Sequence, residues 1–236
     1  MFRKDKHAYT SGPRQLIVEK EPKSPVSEQF RSIRTNIMYS SVDKEIKTVL
    51  FTSATPSAGK STTAANVALT YAQSGKRTVL VDADLRRPTM HYTFELTNQR
   101  GLSTAIVNDM PVENILRETI IENLDVVTSG PIPPNPAELL SSKKMMHLLK
   151  TFSMHYDMVI IDTPPLLAVT DAQVLSRIAD GTVLVTDVTG NNRERLQDAK
   201  ALLEKADANI LGVIMNNKKM NTKNDNYYYY YGSDES

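Results

Sequence analysis

Six short apolar runs recur along the chain. They are Thr48-Val49-Leu50-Phe51-Thr52, Thr78-Val79-Leu80-Val81-Asp82, Leu124-Asp125-Val126-Val127, Met158-Val159-Ile160-Ile161-Asp162, Thr182-Val183-Leu184-Val185 and Ile210-Leu211-Gly212-Val213-Ile214-Met215. Their apolarity is continuous rather than alternating, which predicts strands covered on both faces, as in parallel sheets. Helix-like stretches lie between most of them, for instance over 60–74, 137–152 and 192–206. This alternation predicts an α/β fold: an open, mostly parallel sheet with helices on both faces and right-handed crossovers. Ahead of the first run a helix is predicted from about Ser27. There Val26, Phe30, Ile33 and Ile37 form an apolar stripe at three- and four-residue spacing, and Glu28, Arg31 and Arg34 fall mainly on the other side.

The two ends read differently. Residues 1–24 are polar and broken by Gly12, Pro13 and Pro22, which predicts an extended arm. At the other end a polar linker, Asn221-Thr222-Lys223-Asn224-Asp225-Asn226, precedes Tyr227-Tyr228-Tyr229-Tyr230-Tyr231 and Gly232-Ser233-Asp234-Glu235-Ser236. This low-complexity stretch predicts a disordered tail. The expected division is therefore an arm over 1–24, a domain over 25–218 opening with a helix over 25–42, and a tail over 219–236.

Composition excludes several classes. Apolar content of 40% and charged content of 23% are ordinary for a globular chain of 236 residues. A net charge of +1 supplies no field for nucleic acid or an anionic membrane, so no nucleic-acid partner is expected. The absence of cysteine excludes disulfides and thiolate metal sites. No run approaches the ~18 apolar residues that a membrane span requires. The charged start Met1-Phe2-Arg3-Lys4-Asp5-Lys6 has no apolar stretch behind it, so no signal peptide is expected. Any membrane association is expected to come through a partner.

The candidate chemistry sits at strand ends. Ala54-Thr55-Pro56-Ser57-Ala58-Gly59-Lys60-Ser61 follows a predicted strand and opens a predicted helix, matching the Walker A pattern with Ala54 in place of the first glycine. Backbone N–H groups of such a loop, here including Ser57, Ala58 and Gly59, and the helix N-terminus cradle phosphates. Lys60 supplies a charge at the β- and γ-phosphates, Ser61 a hydroxyl for Mg²⁺, and Thr62 a contact to the α- or β-phosphate. Asp82 and Asp84 end one apolar strand and Asp162 another, where ligands of open α/β sheets bind. Three acids beside a phosphate loop have the hardness that Mg²⁺ requires, with Asp162 as the Walker B acid and Asp82 beside it. Strand-end aspartates also begin turns and cap helices, a reading that stays open, above all for Asp84.

These motifs taken together resemble the bacterial tyrosine kinases of capsule and exopolysaccharide operons. The resemblance rests on the Walker A loop, on Val79-Leu80-Val81-Asp82-Ala83-Asp84-Leu85-Arg86-Arg87-Pro88 and on Val159-Ile160-Ile161-Asp162-Thr163-Pro164-Pro165. Glu28-Gln29-Phe30-Arg31-Ser32-Ile33-Arg34, the stretch from Thr128 to Leu140 and the tyrosine cluster agree with it, so it covers roughly residues 24 to 236. It implies a deviant Walker P-loop NTPase fold and a Gram-positive, cytoplasmic kinase domain that uses ATP and Mg²⁺. It further implies that Asp82, Asp84 and Asp162 hold the metal, that Glu28, Arg31 and Arg34 lie at the interface of a homo-oligomeric ring, and that each tail is phosphorylated by a neighbour. A transmembrane activator of the polysaccharide co-polymerase type, other protein tyrosine substrates and a cognate phosphatase are the implied partners, with recruitment to the inner face of the plasma membrane. One departure stands out: the family's Gly-Glu-Gly-Lys is Ser57-Ala58-Gly59-Lys60 here, which removes an acid and a glycine but no phosphate ligand.

From Met215 to Tyr227 the chain advances twelve positions, a tether of roughly 20 Å r.m.s. reach. A phenol with a pKa of about 10 needs a carboxylate to take its proton. Asp82 is the first candidate for that base and Asp84 the second. Asn216 is a candidate for the adenine edge, although turn formation accounts for Asn216 and Asn217 nearly as well. Arg86 and Arg87 could touch phosphate, a partner or only solvent. Two other functions fit the loop. A partitioning-type ATPase would ordinarily carry a lysine early in it, where this chain has none. A non-catalytic nucleotide-binding scaffold of a polysaccharide machine is the other.

Overall fold

The structure is a computed structural model that describes residues 16–41, 45–189 and 192–217. The tyrosine cluster and the first 15 residues of the expected arm lie outside the described residues. In chain order come α1 (Ile17–Lys20), α2 (Pro25–Met38), β1 (Thr48–Ser53), α3 (Lys60–Gln73), β2 (Thr78–Asp82), α4 (Met90–Thr93) and α5 (Leu102–Asn108). There follow β3 (Leu116–Glu118), β4 (Leu124–Val127), α6 (Pro136–Leu140), α7 (Lys143–His155) and β5 (Met158–Asp162). The last are α8 (Asp171–Ser176), β6 (Gly181–Asp187), α9 (Arg193–Lys205) and β7 (Ile210–Asn216).

The strands form one sheet in the order β3-β4-β2-β5-β1-β6-β7, parallel throughout except for β3, which pairs antiparallel to β4. Successive side chains of a strand feed opposite layers. In β1, Val49 and Phe51 pack under α3, while Leu50 packs on the other face with Leu102, Leu149 and Phe152. This explains the continuous apolar runs, because both sides of the central strands are dry. Helix α3 is buried nearly all round, and its Ala64, Ala65, Ala68 and Ala72 let it lie close to the sheet.

Two expectations need correction. The arm is not extended throughout: α1 forms a helical turn, and Leu16 and Val18 are buried beside α3. The Asn66 side chain accepts a hydrogen bond from Val18 N, and Ser27 Oγ donates to the Ile17 and Glu21 carbonyls. The apolar run Leu16-Ile17-Val18 outweighs its polar flanks. The helix expected over 137–152 is two helices, since the Ser142 side chain accepts from Met145 N and begins α7 afresh. Helix α2 starts at Pro25, as the expected bounds of 25–42 have it, with Ser24 as its cap and Pro25 in the first position, and it ends at Met38.

Candidate functional site

The loop between β1 and α3 lies at the carboxyl end of the sheet, between the ends of β5 and β6. Its left-handed residues are Ser57 (φ +64°) and Gly59 (φ +85°), and Ala54 is not one of them. Ala54 instead buries its methyl with Leu166, Ala172 and Leu184, so the missing first glycine is replaced by a packed side chain. Gly59 is favoured by its left-handed φ, which strains any other side chain, and a Cβ there would also displace the Asn216 amide. Asn216 itself donates to the Ala58 carbonyl at 3.1 Å and braces the loop from β7. The segment after β5 holds the other flank, with Leu166 N donating to the Ser53 carbonyl and Thr52 Oγ1 to the Pro164 carbonyl.

Lys60 opens α3 and turns across the site. Its Nζ lies 3.0 Å from Asp84 Oδ2, 3.4 Å from Asp162 Oδ1 and 3.1 Å from Ser61 Oγ. Burial works against its charge, but the Asp162 and Asp84 carboxylates outweigh that and hold its pKa above the ordinary value. Asp162 is fully buried, and its pKa is raised by that burial against the opposing pull of Lys60. Its second oxygen, Oδ2, is buried without a hydrogen bond. Such an orphaned acceptor is costly unless something fills it.

Asp82 is arranged differently. Its Oδ2 accepts from Thr89 N and Met90 N at 3.0 and 2.9 Å, and its Oδ1 accepts from Asp84 N at 3.3 Å. Burial, followed by the charge of Asp162, pushes its pKa up to about 7. The carboxylate thus pins the segment 83–90 as well as facing the site. Asp84 accepts from Arg87 N through Oδ1 while its Oδ2 meets Lys60. Arg86 has a partner within the chain. Its guanidinium makes a two-pronged pair with the fully buried Asp171 at 2.9 and 3.0 Å, tying the loop after β2 to the start of α8. No local motif marks Asp171, and only the tertiary pairing identifies it.

The structure therefore gathers Lys60, Ser61, Asp82, Asp84 and Asp162, with Asn216 against the loop's outer wall. Thr62 is half-buried on the first turn of α3. Glu28, Arg31 and Arg34 lie apart on α2. Glu28 and Arg31 pair with each other, Arg31 also donates to the Pro22 carbonyl, and Arg34 donates to the Thr70 carbonyl.

Fold and loop together define a phosphate-loop protein of the AAA class, and the AAA domain family AAA_31 matches residues 46–205. Tyrosine-protein kinase YwqD of Bacillus subtilis (strain 168) is 51% identical over 207 residues, covering 88% of this chain and 87% of that protein. Among solved structures, the chimerical protein CapA2B2 has 45% identity and a TM-score of 0.84, over 89% of this chain and 93% of that one. The kinase domain of Escherichia coli tyrosine kinase ETK has 32% identity and a TM-score of 0.84, over 92% and 85%. The chain belongs to the bacterial tyrosine-protein kinases.

The residues present fit a magnesium-bound nucleotide. Ser61 Oγ and the unfilled Asp162 Oδ2 are hard oxygen donors beside a lysine. Among the described residues no group of three or more acids or histidines forms a ready-made metal cage. The expected set of Asp82, Asp84 and Asp162 is therefore not assembled as one three-acid site, and Mg²⁺ is usually held by one or two carboxylates together with substrate phosphates.

Proposed function

We propose that the chain transfers the γ-phosphoryl group of ATP to tyrosine hydroxyls, chiefly those of Tyr227–Tyr231 on a neighbouring copy. The observation that carries the reading is the convergence on Lys60 of carboxylates from the loop after β2 and the end of β5, one with an unfilled oxygen. The loop amides and Lys60 bind the phosphates, and Lys60 exchanges its carboxylate partners for phosphate oxygens as they enter. Ser61 and Asp162 hold Mg²⁺, which supplies charge neutralisation at the β- and γ-phosphates. Asp82, with a pKa of about 7, is poised to take the phenol proton at neutral pH. It is sealed from solvent in this state, so delivery of a hydroxyl to it requires the segment 83–90 to shift.

Glu28, exposed on α2, and the half-buried Arg31 beside it exchange their mutual pair for partners on the next subunit of a ring. A transmembrane activator recruits the chain to the inner face of the plasma membrane, where it regulates capsular or extracellular polysaccharide synthesis, and a phosphatase resets the tail. Among the described residues no helix is long and apolar enough to cross a membrane. Membership of the kinase family sets the partitioning-type ATPase aside.

Incubation with labelled ATP and Mg²⁺, with and without the activator's cytoplasmic end, followed by phosphosite mapping, tests the reading. Label is expected on the tyrosine cluster, and Lys60→Met is expected to lower its rate at least about 100-fold while the chain remains folded by circular dichroism. Release of free phosphate alone, or no label under any condition, would overturn it, the second outcome pointing to the scaffold.

A further inference from the structure

β7 is the terminal strand of the sheet, and a groove of about 700 Å³ runs between it and α2. Val26 and Ile33 of α2 and Leu211, Val213 and Met215 of β7 line it, with Gln29 and Asn36 among its polar groups. Val213 is 47% exposed and Met215 58% exposed. Edge strands are usually guarded by charge, proline or irregularity. Here the register shift lies at the base, between Thr182 and Val183, and the ladder is regular from Gly212 to Asn216. This stretch carries no charged residue.

The chain continues directly from the end of this strand. Asn217, which follows β7 and lines the groove, has φ +58°, a conformation that asparagine adopts where a chain turns back. Nine residues, 218–226, rich in asparagine and lysine, then lead to the five tyrosines. Fully extended, nine residues span about 30 Å, whereas the seven residues of β7 are only about 23 Å long. The cluster therefore reaches every point of the edge. Tyrosine favours strands and combines an apolar ring with a polar tip.

We propose that the unmodified segment Tyr227–Tyr231 docks in cis on the open edge of β7, as an antiparallel eighth strand with rings in the α2–β7 groove. Main-chain hydrogen bonds along the edge supply the attachment. Val213 and Met215 meet the rings, while Gln29 and Asn36 meet the hydroxyls. A tethered segment is present at about millimolar local concentration, so a weak contact suffices. Docking withholds the cluster from any active site, and the free tail anticipated from sequence describes its modified form. Phosphorylation adds about −1.5 to −2 charges per tyrosine, which apolar walls reject, and the segment is expelled. This last clause rests on the kinase reading; the docking does not.

The test uses the full chain without ATP. The natural sequence has no cysteine, so Val213→Cys with Tyr229→Cys introduces one defined pair. Val188→Cys with Tyr229→Cys is the control, because Val188 is 38% exposed and lies as close to the root of the tail, where its N–H donates to the Asn216 carbonyl, but does not line the groove. Intramolecular disulfide formation under mild oxidation is expected at least 10-fold faster for the first pair, and equal rates would overturn the proposal. Amide hydrogen exchange over 212–216 is expected at least 10-fold slower in the unaltered chain than in a variant with all five tyrosines changed to serine. Identical exchange, or protection that grows with protein concentration and so reports a second copy, would also overturn it. After ATP and Mg²⁺, a phosphorylated tail should lose the protection; retained protection would refute the expulsion step. Protection without ATP, in a chain that never becomes phosphorylated, would support docking and sink the kinase reading instead.

Discussion

The two ends of the parallel strands use the same residue for opposite purposes. At the amino end, aspartates are satisfied by fixed donors. Asp180 Oδ2 accepts from Lys47 N, Thr48 N and Thr48 Oγ1 at 3.2, 2.9 and 2.9 Å. Asp157 Oδ2 accepts from Arg77 N at 2.9 Å, and Asp125 Oδ2 from the Tyr156 hydroxyl at 2.6 Å. At the carboxyl end, Asp84 and Asp162 instead face a lysine that a triphosphate can draw away, and one Asp162 oxygen has no partner. An aspartate bonded to the backbone is a staple. One whose partners can be exchanged, or whose bonding is incomplete, is available for chemistry. Asp82 belongs to both groups, since it sits in the site yet pins Thr89 and Met90.

The most damaging change that should leave catalysis intact is Asp180→Ala. It would strand two backbone N–H groups and a hydroxyl at the start of β1, for an expected loss of about 3 kcal/mol. Urea denaturation should show the loss, while the phosphorylation rate per folded molecule stays unchanged. A parallel fall in rate would mean that the two ends are coupled and that the contrast is false.

Asp82→Asn sharpens the contrast from the other side. The folded pKa of Asp82 is raised from 3.8 to about 7 by burial and the neighbouring Asp162 charge. Between those values the folded chain holds a proton that the unfolded chain has released. Stability from this source is therefore complete below about pH 4, and it is lost as pH rises through 7. Without Mg²⁺ or nucleotide, Tm should decline from pH 5 to pH 8, and the variant should decline less, by roughly 2–4 °C. Phosphorylation should fall at least about 100-fold in the same variant. If both chains show the same pH slope, the proton resides elsewhere.

Much of this layout was legible in the sequence. The six continuous apolar runs are the six parallel strands, because burial on both faces leaves so clear a trace. The phosphate loop was legible because glycine, lysine and serine are needed at fixed spacing. Strand β3 was missed: three half-exposed or exposed residues, Leu116-Arg117-Glu118, carry no strand pattern. Helices α4, α5 and α8 are too short for a helical period to register. Nor could spacing reveal that Arg86 would be claimed by Asp171, 85 residues away, or that Asn216 would brace Ala58. Those pairings exist only once the sheet brings the ends of β2, β5 and β7 near the loop.

The smallest effect expected at the amino end comes from Tyr156→Phe. Burial, then the hydrogen bond to Asp125, raise the pKa of the Tyr156 phenol above its ordinary value of 10.0. The folded chain therefore keeps this proton at a pH where the unfolded chain loses it. The contribution is complete below about pH 10 and disappears as pH rises further. Removing the hydroxyl should cost about 1 kcal/mol at pH 7, the worth of one hydrogen bond to a partly exposed carboxylate. It should also flatten the fall in stability above pH 10, while leaving phosphorylation at pH 7 unaltered. Thermal melts of both chains from pH 7 to pH 11 measure this. An unchanged alkaline slope would show that the Tyr156–Asp125 contact is not a staple, and the division between the two ends would then rest on Asp180 and Asp157.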